Sequence, residues 1–307
     1  MRRRVAVIGR TRLAVAALET LARSGDEIAA VIVDAHDDGV DGWQPSLRRA
    51  AEVAGLPVLD PPNVNDPGFV AELDSLEPEF LLSFQAGPIL RAPLIGTARV
   101  AALNLHYGPL PRYRGVAPIA WAIMNGERAT GVTLHHIDPG VDSGPLVRSM
   151  PVPIGPSDTG RTVYDRCVET GIGLFAAAWP ELRELDAVPG TPQDPGAALY
   201  YNRWALDFSQ RQVRWDDDCE RIANWIRAFI FPPFQYPEIV VGERRIEVAA
   251  IEWDRGPHRG HPGEVVGLED GCPVVGAPGG RITLRALRFD GAPLVEDPEL
   301  APGVRLS

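Results

Sequence analysis

Residues 100–144 read VAALNLHYGPLPRYRGVAPIAWAIMNGERATGVTLHHIDPGVDSG. The stretch opens as an apolar strand that ends on Asn104 and His106, which share one strand face because side chains alternate with period two. Gly108, Pro109 and Pro111 forbid a continuing ladder, so the chain turns at a sheet mouth, where open α/β proteins place their chemistry. A helix is expected over 118–125, closed by Gly126. A second strand over 131–137 then leads into Asp138-Pro-Gly-Val-Asp142-Ser-Gly144, which returns carboxylates to the same mouth. His135 and His136 are neighbours and face opposite sides of that strand, so they cannot jointly ligate one metal from it, and no metal site is expected.

Working back toward the amino terminus, buried strands are expected over 4–9, 28–34, 57–59 and 79–83, with helices over 13–23, 46–54 and 67–76 between them. That alternation predicts an α/β fold with an open, mostly parallel, Rossmann-like sheet covered by helices on both faces. The first turn, GRTRLA, lacks the second and third glycines through which a backbone approaches a pyrophosphate, which argues against a dinucleotide-dependent oxidoreductase. Working forward, a long helix is expected from Ser157 or Asp158 to about residue 185. It completes a domain over 1–188, and the Pro/Gly-rich stretch 189–206 reads as a linker. Five short strands in 207–307 predict a small β-rich, OB-like domain.

The ordered set Asn104-x-His106, LPRYRG over 110–115, and Asp142 within DPGVDSG resembles the core signature of the formyltransferases that use 10-formyltetrahydrofolate. The RAFxFPPF run over 227–234 resembles their small carboxy-terminal domain. This likeness implies an enzyme whose catalytic residues are Asn104, His106 and Asp142. It further implies a pterin slot built from Phe84, Gln85, Ala86, Gly87 and Ile89 on one loop and Ile137, Asp138, Gly140 and Val141 on another. Tyr107, Arg112, Arg114 and Tyr201 are expected on the acceptor side. Attack of an amine on a formyl carbon needs an oxyanion donor, for which Asn104 or a protonated His106 serves, and a proton acceptor, His106 or Asp142.

Composition narrows the acceptor. With 30 basic and 41 acidic residues the net charge is −11, which opposes a polyanion or a membrane surface. The loop DAHDDGVDGW over 34–43 carries four aspartates where methionyl-tRNA formyltransferases carry a basic insertion. The expected acceptor is therefore a small-molecule primary amine, and the resemblance of the loop around Trp43, LPRYRG over 110–115 and the DT-x-x-x-x-Tyr164-x-x-Cys167 run to the amino-sugar branch of the family implies a nucleotide-linked amino sugar foremost. N-hydroxyornithine is the next alternative and Met-tRNA the third, with no nucleic-acid or membrane partner expected and a homodimer left open. A formate-releasing hydrolase is disfavoured because no regulatory domain precedes the first strand. No window reaches the roughly 18 apolar residues of a spanning helix. All basic residues are Arg, which removes lysine chemistry, and three widely spaced cysteines fit a reducing cytoplasm.

Overall fold

The computed structural model describes residues 2–34, 37–257, 260–295 and 297–307, so Ala35 and His36 of the acidic loop lie outside the described residues. In chain order the first elements are β1 (Arg4–Gly9), α1 (Thr11–Arg23), β2 (Glu27–Val33), α2 (Leu47–Val53), β3 (Val58–Leu59), α3 (Pro67–Ser75), β4 (Phe80–Phe84), α4 (Ala92–Ile95) and β5 (Ala101–His106). They continue with β6 (Arg114–Gly115), α5 (Pro118–Met124), β7 (Ala129–His136), β8 (Leu146–Pro153), α6 (Gly160–Leu182) and β9 (Tyr200–Tyr201). The remainder is α7 (Cys219–Phe229), β10 (Glu238–Val241), β11 (Arg244–Arg255), β12 (Val265–Glu269), β13 (Cys272–Ala277), β14 (Gly280–Phe289) and β15 (Ala292–Leu294). The chain divides into two compact units. One comprises residues 1–116, 131–152 and 166–201, the other 117–130, 153–165 and 202–307.

In the first unit the sheet order is β3-β2-β1-β4-β5-β7-β8, parallel from β3 to β5 with β7 running antiparallel to β5. This is the open, mostly parallel α/β sheet expected, and its central strands are apolar on both faces because both are covered. Along β4 the alternation is visible residue by residue. Phe80 and Phe84 turn toward α6, meeting Trp179 and Phe175 edge-on at 5.0 Å each, while Leu81 joins Ile8, Ile32, Phe69 and Leu73 on the other face. Local chemistry sets the helix starts. Ser46 caps α2 by accepting from the Arg49 N–H, and Asp66 caps α3 just ahead of Pro67, whose missing N–H costs nothing at that position. Two aspartates of the acidic loop serve the same corner: Asp37 accepts from the Arg48 N–H and the Ser46 hydroxyl, and Asp41 from the Ser46 N–H.

In the second unit the described strands number six, not the five expected, in the order β10-β11-β14-β13-β12 with β15 paired to β14. The additional strand follows Asp290-Gly291, both at positive φ, a two-residue turn that suits a tight hairpin. Both outer strands are joined to the chain's last residues. Val240 exchanges backbone hydrogen bonds with Ser307, while Val265 and Gly263 pair with Val304, Gly303 and Leu306. Residues 303–307 thus satisfy two edges that would otherwise be left open. The face of α7 bearing Ile222, Ala223 and Ile226 packs into the core of this unit with Ile239, Val248, Val275, Ile282 and Leu306. Among the described residues no helix is long and apolar enough to cross a membrane.

Candidate active site

The end of β5 meets β7 in antiparallel register, with Asn104 opposite His135 and His106 opposite Thr133. Cross-strand partners project to the same face, so a third polar side chain, His135, joins the two that the period-two pattern had already paired. Asn104 Nδ2 lies 3.1 Å from His135 Nε2, and His135 Nδ1 lies 2.7 Å from the carbonyl oxygen of His136. That carbonyl can only accept, so Nδ1 carries the proton and Nε2 accepts from the Asn104 amide. His136 turns away and meets the Val188 carbonyl at 3.1 Å, in keeping with the opposite faces expected for the pair.

Asp142 reaches this cluster from a loop folded back on itself. Asp138 Oδ1 accepts from the Ser143 hydroxyl at 2.7 Å and the Gly140 N–H at 3.1 Å, and Asp142 adopts a left-handed φ of 51°. Its Oδ2 accepts the Gly115 N–H at 2.9 Å and lies 3.5 Å from His106 Nδ1, while Oδ1 lies 3.5 Å from His135 Nε2. One carboxylate therefore faces both imidazoles. Burial pushes its pKa up, but the charge that His106 takes on when protonated at acid pH, the contact with His135 and the Gly115 N–H together outweigh that. The carboxyl is held well below the usual range, and Asp142 is ionised at neutral pH.

His106 is 6% exposed, and its Nε2 donates to the Tyr113 carbonyl at 2.8 Å. Desolvation is the largest influence on its pKa and lowers it from 6.5. Asp142 and the Tyr113 carbonyl oppose that shift without overcoming it. Asp142 favours the cationic form of His106, but the imidazole is so deeply buried that the resting ring is neutral. Gly108 makes the arrangement possible, since a Cβ there would lie 2.7 Å from His106 Nε2 and 3.1 Å from the Tyr113 oxygen.

The other expected site residues fall into three groups. The 84–89 loop leaves β4 and the 137–142 loop leaves β7, so the two flank β5. Ala86 and Ile137 pack against the same apolar cluster. In the first loop Phe84 is buried beneath Phe175, Gln85 has φ 56° and its carbonyl accepts from Arg10 Nε at 3.0 Å, a Cβ on Gly87 would lie 2.8 Å from Asp34 Oδ2, and Ile89 is 63% exposed. In the second, Gly140 is exposed and Val141 half-buried beside Asp142. On the acceptor side, Tyr201 stacks on Tyr113 at 5.9 Å, and Arg112 is exposed with its guanidinium over the Tyr113 ring at 5.2 Å. Tyr107 does not join the cluster. It follows His106 by one residue, so its ring turns to the opposite face and lies against Gly171 of α6. Arg114 directs Nε and Nη2 to Gln193 Oε1 at 3.0 and 2.7 Å, so those donors serve the protein itself. His135, the Tyr113 carbonyl, the Gly115 N–H and Gln193 were not legible as site groups. The only signal for His135 was its register opposite Asn104, which emerges when β5 and β7 pair.

Comparison with known proteins identifies the family. The model of the formyl transferase family matches residues 3–178, and that of the formyl transferase carboxy-terminal domain matches 206–304. The methionyl-tRNA formyltransferase of Syntrophus aciditrophicus is 31% identical over 303 residues, covering 98% of this chain and 96% of that protein. The Anaeromyxobacter dehalogenans enzyme of the same name is 31% identical over 306 residues, covering 98% and 97%. Among solved structures, the Helicobacter canadensis N-formyltransferase, in complex with folinic acid and dTDP-3-aminofucose, superposes with a TM-score of 0.75 at 24% identity, covering 92% of this chain and 99% of that one. With an asparagine, two histidines and an aspartate gathered at the mouth of this sheet, and with both family models matched in order along the chain, the protein belongs to the formyl transferase family and is an N-formyltransferase.

Proposed function

We propose that the protein transfers a formyl group from 10-formyltetrahydrofolate to the primary amine of a small molecule, and that this acceptor is an amino sugar carried on a nucleotide. The observation that carries the chemistry is Asp142 facing His106 and His135 beside the Asn104 amide. His106 Nε2 is committed to the Tyr113 carbonyl, so the neutral ring keeps its lone pair on Nδ1, on the side of Asp142. As the amine nitrogen bonds to the formyl carbon, Nδ1 takes its proton and Asp142 stabilises the resulting imidazolium. That proton then passes to the donor nitrogen as its bond to the formyl carbon breaks. Asn104 gives one amide N–H to His135 and keeps the other for the developing oxyanion.

The loops holding Ala86 and Ile137 flank β5 and suit the flat pterin of the donor, which backbone groups can pair while apolar side chains cover its faces. The net charge of −11 and the acidic loop support a small acceptor over a polyanion, since phosphate contacts are built from cationic side chains. The Helicobacter canadensis enzyme that shares this fold was solved with a nucleotide-linked amino sugar. Met-tRNA is the second reading, favoured by the 31% identity to methionyl-tRNA formyltransferases over nearly the whole chain. Release of tetrahydrofolate is to be followed by absorbance with a panel of nucleotide-linked amino sugars, N-hydroxyornithine and Met-tRNA. The proposal expects fast, His106-dependent turnover with a nucleotide-linked amino sugar. Turnover with Met-tRNA alone, weakening steeply with salt, establishes the second reading, and failure to consume the donor with any amine removes both.

A further inference from the structure

Gln193 stands in a Pro/Gly-rich stretch that reads as a connector, yet both ends of its side chain are engaged. Oε1 accepts from Arg114 Nε at 3.0 Å and Nη2 at 2.7 Å. That forked donor decides which end of the amide is oxygen, because a guanidinium only donates. Nε2 is left facing the other way, where it donates to the carbonyl oxygens of Asp142 at 2.9 Å and Gly144 at 2.7 Å. The neighbouring backbone keeps Gln193 in register: Thr191 and Leu146 exchange hydrogen bonds at 2.7 and 2.8 Å, and the Leu199 and Tyr201 carbonyls accept from the Arg114 and Val116 N–H groups at 2.8 and 2.9 Å. The loop so gripped has need of a restraint, because a non-glycine residue at φ 51° is strained by about 1–3 kcal/mol and persists only where its surroundings impose it.

We propose that Gln193 is a positioning residue for formyl transfer: oriented by Arg114, it pins the backbone on either side of Ser143 and so keeps the Asp142 carboxylate aimed at His106 and His135. It acts through Asp142 and needs no contact with either substrate. The inference rests on the catalytic reading of Asp142 given above.

The test uses the full chain and the variants Gln193→Ala, Gln193→Glu, Asp142→Asn and the Gln193→Ala/Asp142→Asn double variant. Steady-state kinetics with 10-formyltetrahydrofolate and the acceptor that turns over best are combined with an NMR titration of the His106 imidazole, which needs no substrate. Gln193→Ala is expected to lower kcat on the order of 10²-fold, the scale of an ångström misplacement, with KM for either substrate little changed. The His106 titration should move to lower pH as the carboxylate retreats. Gln193→Glu keeps the Arg114 pairing but sets a carboxylate against two carbonyls. It should lose as much, which guards against an alanine variant that fails to fold. In the Asp142→Asn background Gln193→Ala should cost nothing further. A wild-type kcat and unmoved titration in both Gln193 variants, or full additivity in the double variant, overturns the proposal. If Asp142→Asn itself leaves kcat unchanged, the catalytic reading beneath it fails instead.

Discussion

His106 Nε2 lies 2.8 Å from the carbonyl oxygen of Tyr113, and because that oxygen can only accept, this contact decides the tautomer of the ring. The proton sits on Nε2 and the basic lone pair on Nδ1, 3.5 Å from Asp142. A base must be neutral to act, and burial holds the His106 pKa below 6.5. Corrected for protonation of the acceptor amine itself, the pH profile of kcat/KM should therefore stay flat through neutrality and past 6.5, declining only at more acid pH. Asp142→Asn removes a charge that raises this pKa, so it should shift the acid limb further down while cutting the rate on the order of 10²-fold or more. A wild-type limb above 6.5 would contradict the assignment. Stability follows the same direction: below 6.5 the unfolded chain protonates first at this position, so the contribution of His106 declines as pH falls toward its folded value. The contribution of Asp142 is present above 3.8 and is lost as pH falls toward its depressed folded value.

Gly108 tests the same contact by steric means. In Gly108→Ala the new Cβ would stand 2.7 Å from His106 Nε2 and 3.1 Å from the Tyr113 oxygen, so the ring or the turn must shift. Activity should fall on the order of 10²-fold, while overpacking lowers stability by about 1–3 kcal/mol. Thermal melts read beside kcat separate the two effects, and an active Gly108→Ala enzyme would show that the His106–Tyr113 contact is dispensable.

Asn104→Ala should reduce kcat on the order of 10²–10³-fold, the cost of one oxyanion donor elsewhere. His135→Phe keeps a ring opposite Asn104 but removes the Nε2 acceptor that orients its amide. Its loss should be smaller than that of Asn104→Ala, and the two should be strongly non-additive when combined. Independent, additive losses in that double variant would mean that His135 does not act through Asn104.

Far from the site, Asp26 is a structural counterpart to these residues. Its fully buried carboxylate accepts from Trp179 Nε1 at 2.8 Å, from the Arg3 N–H at 3.0 Å and from Arg183 Nη2 at 2.6 Å. Asp26→Ala takes from Arg183 its buried partner and leaves the indole N–H of Trp179 without this acceptor, and should destabilise the protein by about 3–5 kcal/mol, measured by denaturant unfolding. Turnover per folded molecule should be unchanged.

The alternation of apolar strands with amphipathic helices over 4–106 was enough to specify a parallel sheet covered on both faces, because burial on two sides demands unbroken apolar runs and the turns between them are local. Asn104 and His106 were legible for the same reason, their shared face being a property of one strand. Pairing was not available from the chain alone. His135 became part of the site only when β7 docked antiparallel with it opposite Asn104, and Asp142, already named by its motif, gained its contacts with both rings and the Gly115 N–H only through the fold of its loop. Tyr107, one residue from His106, was carried to the far face by the same alternation that placed its neighbour. Gln193 and Arg114 belong to segments 79 residues apart whose composition says turn and connector. Their hydrogen bonds exist because the sheet brings those segments together. The neutral state of His106 is likewise a tertiary property, since the aspartate beside it argues for a charge while the depth of burial, with His135 alongside, argues against one.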